Sequence, residues 1–152
     1  RKMSDFSTLI GMKLKPTKFK VKAKKLLAFA ASIGAKQAKF VDPNDPVAHP
    51  AYANAYVFPA LMSIVEAKQA NGSVLIKNPL KILHGGQIYR FPKDAPSIKG
   101  GDKLITTPSI KDIELKSNGM LLITCAAETV KKDTNEIVCK SEIGIAIMPG
   151  GF

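Results

Sequence analysis

The sequence has few of the residues that build metal centres or disulfide frameworks. Its two cysteines, Cys125 and Cys139, lie in apolar runs, with no histidine or second cysteine at metal-ligand spacing. We therefore expect neither a metal nor a cofactor. We interpret both cysteines as buried free thiols, although a disulfide would form if their strands brought them together.

Long hydrophobic runs are also missing. The longest, near "AYVFPALMSIV", is too short to span a membrane, and no hydrophobic signal region stands at the amino terminus. The chain has 152 residues, of which 45% are hydrophobic, enough for one globular domain with a core. We expect a single domain over residues 1–152, in the cytoplasm or an organelle matrix.

Acidic residues are scarce in the first part of the chain. Residues 1–40 contain eleven Lys or Arg and one acid, whereas residues 41–152 contain twelve Lys or Arg and eleven acids. In "KLKPTKFKVKAKK" lysines alternate with apolar residues, which is typical of an edge strand that lysine protects from aggregation. A dedicated anion-binding patch is the alternative. We expect no nucleic acid partner, because basic residues interleaved with exposed aromatics, helix-turn-helix patterns and zinc spacing are all missing.

The order of hydrophobic patterns predicts an α+β fold. "KFKVKA" predicts a short strand and "KKLLAFAASIGA" a helix that ends at Gly34. A long segment over residues 35–58 follows. "PALMSIVEAKQANG" then predicts a buried helix at about residues 59–70, with Pro59 in its first turn. The rest predicts antiparallel strands that wrap around this helix: "LKILHGGQIYRF", "DKLITTPSIKDIEL", "GMLLITCAAETV" and "EIVCKSEIGIAIM".

Several of these stretches resemble the MaoC-like hot dog family of (R)-specific enoyl-CoA hydratases and dehydratases. They are "LLAFAASIGA", "ILHGGQIYRFPKDAPSIKGGDKL" and "IAIMPGGF", in the order in which that family's amino-terminal repeat has them. The resemblance implies a sheet curled around a central helix. It also implies a homodimer, or a heterodimer with a catalytic MaoC-like chain, that holds an acyl-CoA or acyl-ACP. In two-repeat relatives one repeat carries the catalytic Asp and His, and the other shapes the acyl tunnel.

The loop "VDPNDPVAHPAYANAY" resembles the hydratase motif of that family. Asp42 and Asn44 match its acid and amide, but Val47 stands at the position of the catalytic histidine, and His49 lies two residues further on. Hydration needs an acid and a base placed together beside the thioester, and two residues of extended chain move a side chain by about 7 Å. We take Asp42 and His49 as candidate catalytic residues. The alternative is that Asp42 and Asn44 form turn hydrogen bonds while His49 caps a helical turn or faces solvent.

Further site residues follow from the same resemblance. At the predicted helix start "FPAL", Pro59 has no N–H, so the Ala60 amide is the candidate oxyanion donor. His84 and Gly85 in "LHGGQ" and Lys116 in "DIELKSNG" are candidate CoA contacts; otherwise they are a packed histidine and an ordinary turn lysine. The candidate acyl-tunnel residues, which could equally be plain core, are Tyr52, Tyr56, Phe58, Leu61 and Met62.

Three functions of this family remain open from the sequence. The first is a non-catalytic acyl-CoA-binding subunit that works beside a catalytic chain. The second is a homodimeric hydratase that uses Asp42 and the displaced His49. The third is a hot dog thioesterase whose acid is Asp42 or Glu66.

Overall fold

A five-stranded antiparallel sheet forms the body of the computed structural model, which describes residues 6–152. The strands stand in the order β1-β3-β4-β5-β2. β3, β4 and β5 are a meander of consecutive hairpins, while β1 and β2 are the two edges. The bounds are Thr17–Lys20 for β1, Ile82–Arg90 for β2, Lys103–Leu115 for β3, Leu121–Lys131 for β4 and Ile137–Ile147 for β5.

Alternation of apolar and polar residues decides which face of the sheet is covered. Along β4 every second residue is buried, from Leu121 to Thr129, as expected for a sheet with one packed face. Ile143 and Ile147 of β5 lie on the same face and are fully buried. The antiparallel strands predicted from the sequence are therefore confirmed.

The covered face packs on a central helical segment. It consists of a short 3-10 turn (Pro50–Tyr52), the α-helix α3 (Ala53–Leu61) and a second 3-10 turn (Met62–Glu66). The buried residues of α3 have helical spacing; they are Ala53, Tyr56, Val57, Ala60 and Leu61. At its centre, the Thr106 hydroxyl donates to the Tyr56 carbonyl (3.3 Å) and meets the Thr129 hydroxyl at 2.8 Å.

The predicted bounds of this helix, residues 59–70, are wrong at both ends. Pro59 lies inside α3 rather than in its first turn, so the helix forms without the hydrogen bond that an N–H at this position would donate to the Ala55 carbonyl. Asn71 and Gly72 do not end the helix. They form a separate turn in which the Asn71 side chain accepts from the Ser73 backbone N–H (3.0 Å).

Two further helices precede the central helical segment in the chain. α1 (Ala23–Ser32) was predicted, and Gly34 follows it with a φ of 68°, the left-handed conformation that ends many helices. α2 (Ala38–Val41) was missed: the segment over residues 35–58 is folded rather than one long loop.

Both cysteines are buried and free. They lie on neighbouring strands but out of register, since Cys125 stands opposite Ile143 and Cys139 opposite Thr129. The free-thiol interpretation is confirmed. Over residues 6–152, no helix is long and apolar enough to cross a membrane.

Candidate functional site

An apolar cavity of about 270 Å³ lies between the carboxyl end of α3 and the strands β2 and β5. Three of the predicted acyl-tunnel residues, Phe58, Leu61 and Met62, line it. The opposite wall is formed by inward-facing residues of the sheet, Ile82, Cys125, Ile143 and Ile145. A narrow cavity with such a lining suits a hydrocarbon chain rather than a polar ligand.

His84 stands in the wall of this cavity, on the edge strand β2. Its ring meets Phe58 edge to face, with the ring centroids 5.4 Å apart. A bulge between His84 and Gly86 interrupts the pairing with β5 at this point, and bulges of this kind re-aim side chains at functional sites. His84 is therefore the polar group that the fold places against the cavity.

The packing of β2 against β5 explains why a glycine stands at position 85. A Cβ at this position would stand 3.3 Å from the carbonyl oxygen of Gly144 on β5. The glycine thus permits close approach of two strands. The sequence predicted close approach of a ligand, and that role stays a prediction.

Tyr52 and Tyr56 do not line this cavity. Both are buried in an aromatic cluster with Phe19 of β1, and Tyr52 also packs on Phe29 of α1. These contacts join α1 and β1 to the central helix, as core side chains do, and a tunnel role for the two tyrosines stays a prediction.

The side chain of Asp42 holds its own loop together. Its Oδ1 accepts from the backbone N–H of Asn44 (2.8 Å) and of Asp45 (3.4 Å), which is a side-chain-closed turn. Asp42 is exposed and is not part of the cavity lining. The turn alternative left open by the sequence is thus the arrangement found for Asp42.

His49 caps the helical segment that leads into α3. Its Nδ1 accepts from the backbone N–H of Ala51 (3.1 Å), and its ring meets Phe40 edge to face at 4.8 Å between centroids. His49 lines a second, smaller cavity of about 180 Å³ together with Val47 and Tyr56. Asp42 is absent from that lining, so the two candidate catalytic side chains share neither cavity.

The predicted oxyanion donor is wrong in its geometry. Ala60 was chosen as an amide at the start of the helix, but the helix starts at Ala53 and Ala60 is fully buried near its other end. Its amide therefore points along the interior of the helix rather than toward an approaching thioester.

Two other charged candidates lie outside the apolar cavity. Lys116 is in the turn between β3 and β4, where its Nζ pairs with Glu114 at 2.6 Å. Glu66 is exposed at the end of the second 3-10 turn. The structure brings neither side chain to the cavity wall.

One polar contact that the sequence did not reveal ties α3 to the edge strand beside the cavity. The Tyr89 hydroxyl donates to Oδ1 of Asn54 (2.8 Å), and Asn54 in turn donates to the Ala51 carbonyl (3.1 Å). Burial raises the pKa of Tyr89 to about 12, so this hydroxyl keeps its proton at neutral pH. The pair involves residues 35 positions apart, a separation that no local sequence pattern signals.

The thiol of Cys125 is part of the apolar wall. Burial raises its pKa to about 11, so it remains neutral and acts as a small apolar group. Within residues 6–152, no cluster of His, Cys, Asp and Glu has the geometry to hold a metal ion.

Comparison with known proteins links this architecture to dehydratases. A family model described as "FAS1-like, dehydratase domain region" matches residues 8–141. No curated protein matches the chain significantly. Among solved structures, the C-terminally truncated HadBC (3R-hydroxyacyl-ACP dehydratase) complex from Mycobacterium tuberculosis has a TM-score of 0.71 at 16% identity, with 91% of this chain and 96% of that chain covered.

Two further structures agree with this one. The MaoC-like dehydratase from Rhodospirillum rubrum has a TM-score of 0.69 at 18% identity and covers 94% of both chains. The R-hydratase PhaJ1 from Pseudomonas aeruginosa has a TM-score of 0.64 at 19% identity, with 92% of this chain and 81% of that chain covered. At such identities the likeness is one of fold, and it confirms the predicted hot dog arrangement.

Proposed function

Since the chain belongs to the FAS1-like dehydratase domain family, we propose that it binds the acyl group of a thioester in the apolar cavity beside α3. The thioester is carried on coenzyme A or on an acyl carrier protein. The observation that carries the proposal is the cavity itself. Its walls are hydrocarbon on all sides apart from His84 and the neutral thiol of Cys125, and an acyl chain is the part of such a substrate that gains most from leaving water.

The chain acts as a non-catalytic subunit beside a partner that has the intact Asp/His motif. General acid–base catalysis requires both groups within hydrogen-bond reach of the reacting atoms. Here Asp42 is occupied with two backbone N–H groups of its own turn, and His49 accepts from the Ala51 amide. These hydrogen bonds support a structural role for both side chains, Asp42 in closing its turn and His49 in capping the helical segment.

The partner binds along β2. Among residues 6–152 this strand is an edge of the sheet, paired on one side, and its exposed apolar residues include Leu83 and Ile88. Unpaired strand edges with apolar side chains are templates for a second chain. Two of the similar solved structures, the HadBC complex and the ChsH1-ChsH2 complex of Mycobacterium tuberculosis, are complexes of more than one chain, which supports a homodimer or heterodimer for this protein.

The binding part of the proposal is tested by closing the cavity from its exposed side. Met62 lines the cavity and is 54% exposed, so Met62→Trp fills space without disturbing the core. We expect calorimetric affinity for decanoyl-CoA to fall by at least about tenfold, the loss of roughly two buried methylenes. Met148→Trp is the matched control, because Met148 is 44% exposed and lies outside the cavity. Equal effects of both substitutions would contradict the assignment.

The catalytic part is tested by hydration of crotonyl-CoA. The purified chain alone should show no turnover above background, and turnover should appear when a family member with the intact motif is added. Robust turnover by the chain alone that disappears in His49→Ala would mean that the displaced histidine is the base.

A further inference from the structure

Six exposed lysines cluster at the β1 edge of the sheet. They form the lysine surface, defined as Lys18, Lys20, Lys22, Lys24, Lys103 and Lys132. None of the six makes an ion pair within the described part of the chain. The segment over residues 6–40 contains no acidic residue. The positive charges of these lysines are therefore exposed to solvent without a neighbouring carboxylate in that segment.

Three of these lysines stand side by side across neighbouring strands. Lys20 lies directly opposite Lys103 in the register of β1 and β3. The backbone N–H of Lys132 donates to the Lys103 carbonyl at 2.8 Å. Opposed residues on paired strands have Cβ atoms about 5 Å apart, and like charges there are destabilising.

Nearby carboxylates do not neutralise the positive charge of this row, which consists of Lys20, Lys103 and Lys132. Asp102 is adjacent in sequence, but it pairs with Lys131 at 2.8 Å instead. Asp133, in the turn after β4, is exposed and forms no ion pair with the row in residues 6–152. The protein therefore retains a costly charge arrangement.

Protection of an edge strand explains only part of the cluster. Lys18 and Lys20 lie on β1 and keep that edge from pairing with other chains. Lys24 is on α1, whereas Lys103 and Lys132 lie on β3 and just beyond β4, which are not at the edge. A second reason is needed for these three.

The lysine surface is separate from the acyl cavity. It lies at the β1 edge, and the cavity lies at the β2 edge. Four strand spacings of about 4.8 Å separate the two edges by roughly 19 Å. The six lysines are consequently no part of the acyl cavity.

We propose that the lysine surface docks the protein on an anionic lipid bilayer. Every cation on it is a lysine, a compact point charge suited to a diffuse negative plane rather than to the bidentate recognition that arginine provides. Clusters of this number attract anionic membranes.

A single-stranded nucleic acid fits the surface less well. Such partners stack their bases on exposed aromatic rings. The aromatic residues that accompany these lysines point inward: Phe19 packs on Tyr52 and Tyr56, and Phe29 packs on Tyr52.

The test is co-sedimentation of the full chain with lipid vesicles. The protein should bind vesicles of equal parts phosphatidylcholine and phosphatidylglycerol and should not bind phosphatidylcholine alone. Binding should disappear in 1 M salt, where the screening length falls to about 3 Å. The triple variant Lys18→Glu, Lys22→Glu and Lys24→Glu should bind about 100-fold more weakly.

The matched control reverses three exposed lysines elsewhere, Lys68, Lys77 and Lys93, to Glu. It has the same net charge as the first variant and should lose less than about tenfold. Equal losses in both variants would overturn the proposal in favour of bulk charge. Absence of vesicle binding, or salt-dependent binding to RNA in its place, would also overturn it. Lys→Gln versions of both triples repeat the comparison if a Glu variant fails to fold.

Discussion

The two histidines of this chain provide a direct test of which residues serve the structure and which serve the ligand. His49 caps the entrance to the central helix, and His84 stands in the wall of the acyl cavity. We predict that His49→Ala lowers the free energy of unfolding and leaves acyl-CoA affinity nearly unchanged. We predict the reverse for His84→Ala.

The expected size of the His49 effect follows from two contacts. Loss of the cap to the Ala51 amide costs about 1 kcal/mol. Loss of the edge-to-face contact with Phe40 costs about 0.5–1.5 kcal/mol more. Since His49 is only partly buried, we expect a total of about 1–2 kcal/mol. His84 is exposed, with one ring contact to Phe58, so His84→Ala should cost less than about 1 kcal/mol.

Urea denaturation followed by circular dichroism gives the stabilities, and calorimetry with decanoyl-CoA gives the affinities. The reasoning predicts a crossed pattern, in which each substitution affects one measurement only. If His49→Ala abolished acyl binding or partner-dependent turnover while the fold stayed intact, the capping interpretation would be refuted. If His84→Ala left affinity unchanged, His84 would have no role in the cavity.

Three smaller predictions concern a buried hydroxyl pair, the two buried thiols, and the opposed lysines Lys20 and Lys103. Thr106→Val should lower stability by about 1–3 kcal/mol, because it leaves the Thr129 hydroxyl buried without its partner; the double Val variant should recover much of this in urea melts. Burial raises the pKa of the Cys125 and Cys139 thiols from 9 to about 11. The unfolded chain therefore loses these protons first, and stability should fall from pH 9 to 11, less so in the double Cys→Ser variant. Lys20→Glu should raise stability by about 0.5 kcal/mol at low salt and by nothing in 1 M salt, since it replaces a like-charge pair by an opposite-charge pair.

The sequence predicted the sheet better than the helix. The strands were predicted from alternating burial, whereas the start of the helix was predicted from the local preference of one proline. Alternation along β4 is set by burial of one face, and it survives in the structure, as it does in β5 from Cys139 to Ile143. The start of the central helix depended on Pro59, whose preference for a first turn is a local tendency. The tertiary burial of Ala53, Tyr56 and Val57 outweighed it.

The site was only partly predictable for a similar reason. Phe58, Leu61 and Met62 were found from the apolar helix, whereas the opposite wall comes from three separate strands. An aromatic side chain can line a tunnel or fill a core, and the contacts of Tyr52 and Tyr56 with Phe19 could not be read from the sequence. Sequence order carries no information about such distant neighbours until the strand register is known.

The order of the strands also governs how the protein is made. β2 is finished at Arg90, but β5, the strand that pairs with it within residues 6–152, does not begin until Ile137. On the ribosome, β2 must therefore wait, with the backbone N–H and C=O groups that later pair with β5 unsatisfied, while two other strands are synthesised. Such late, non-local pairing slows folding and leaves an apolar edge open to wrong associations. A nascent chain that lacks β5 is therefore expected to aggregate more readily than the complete chain.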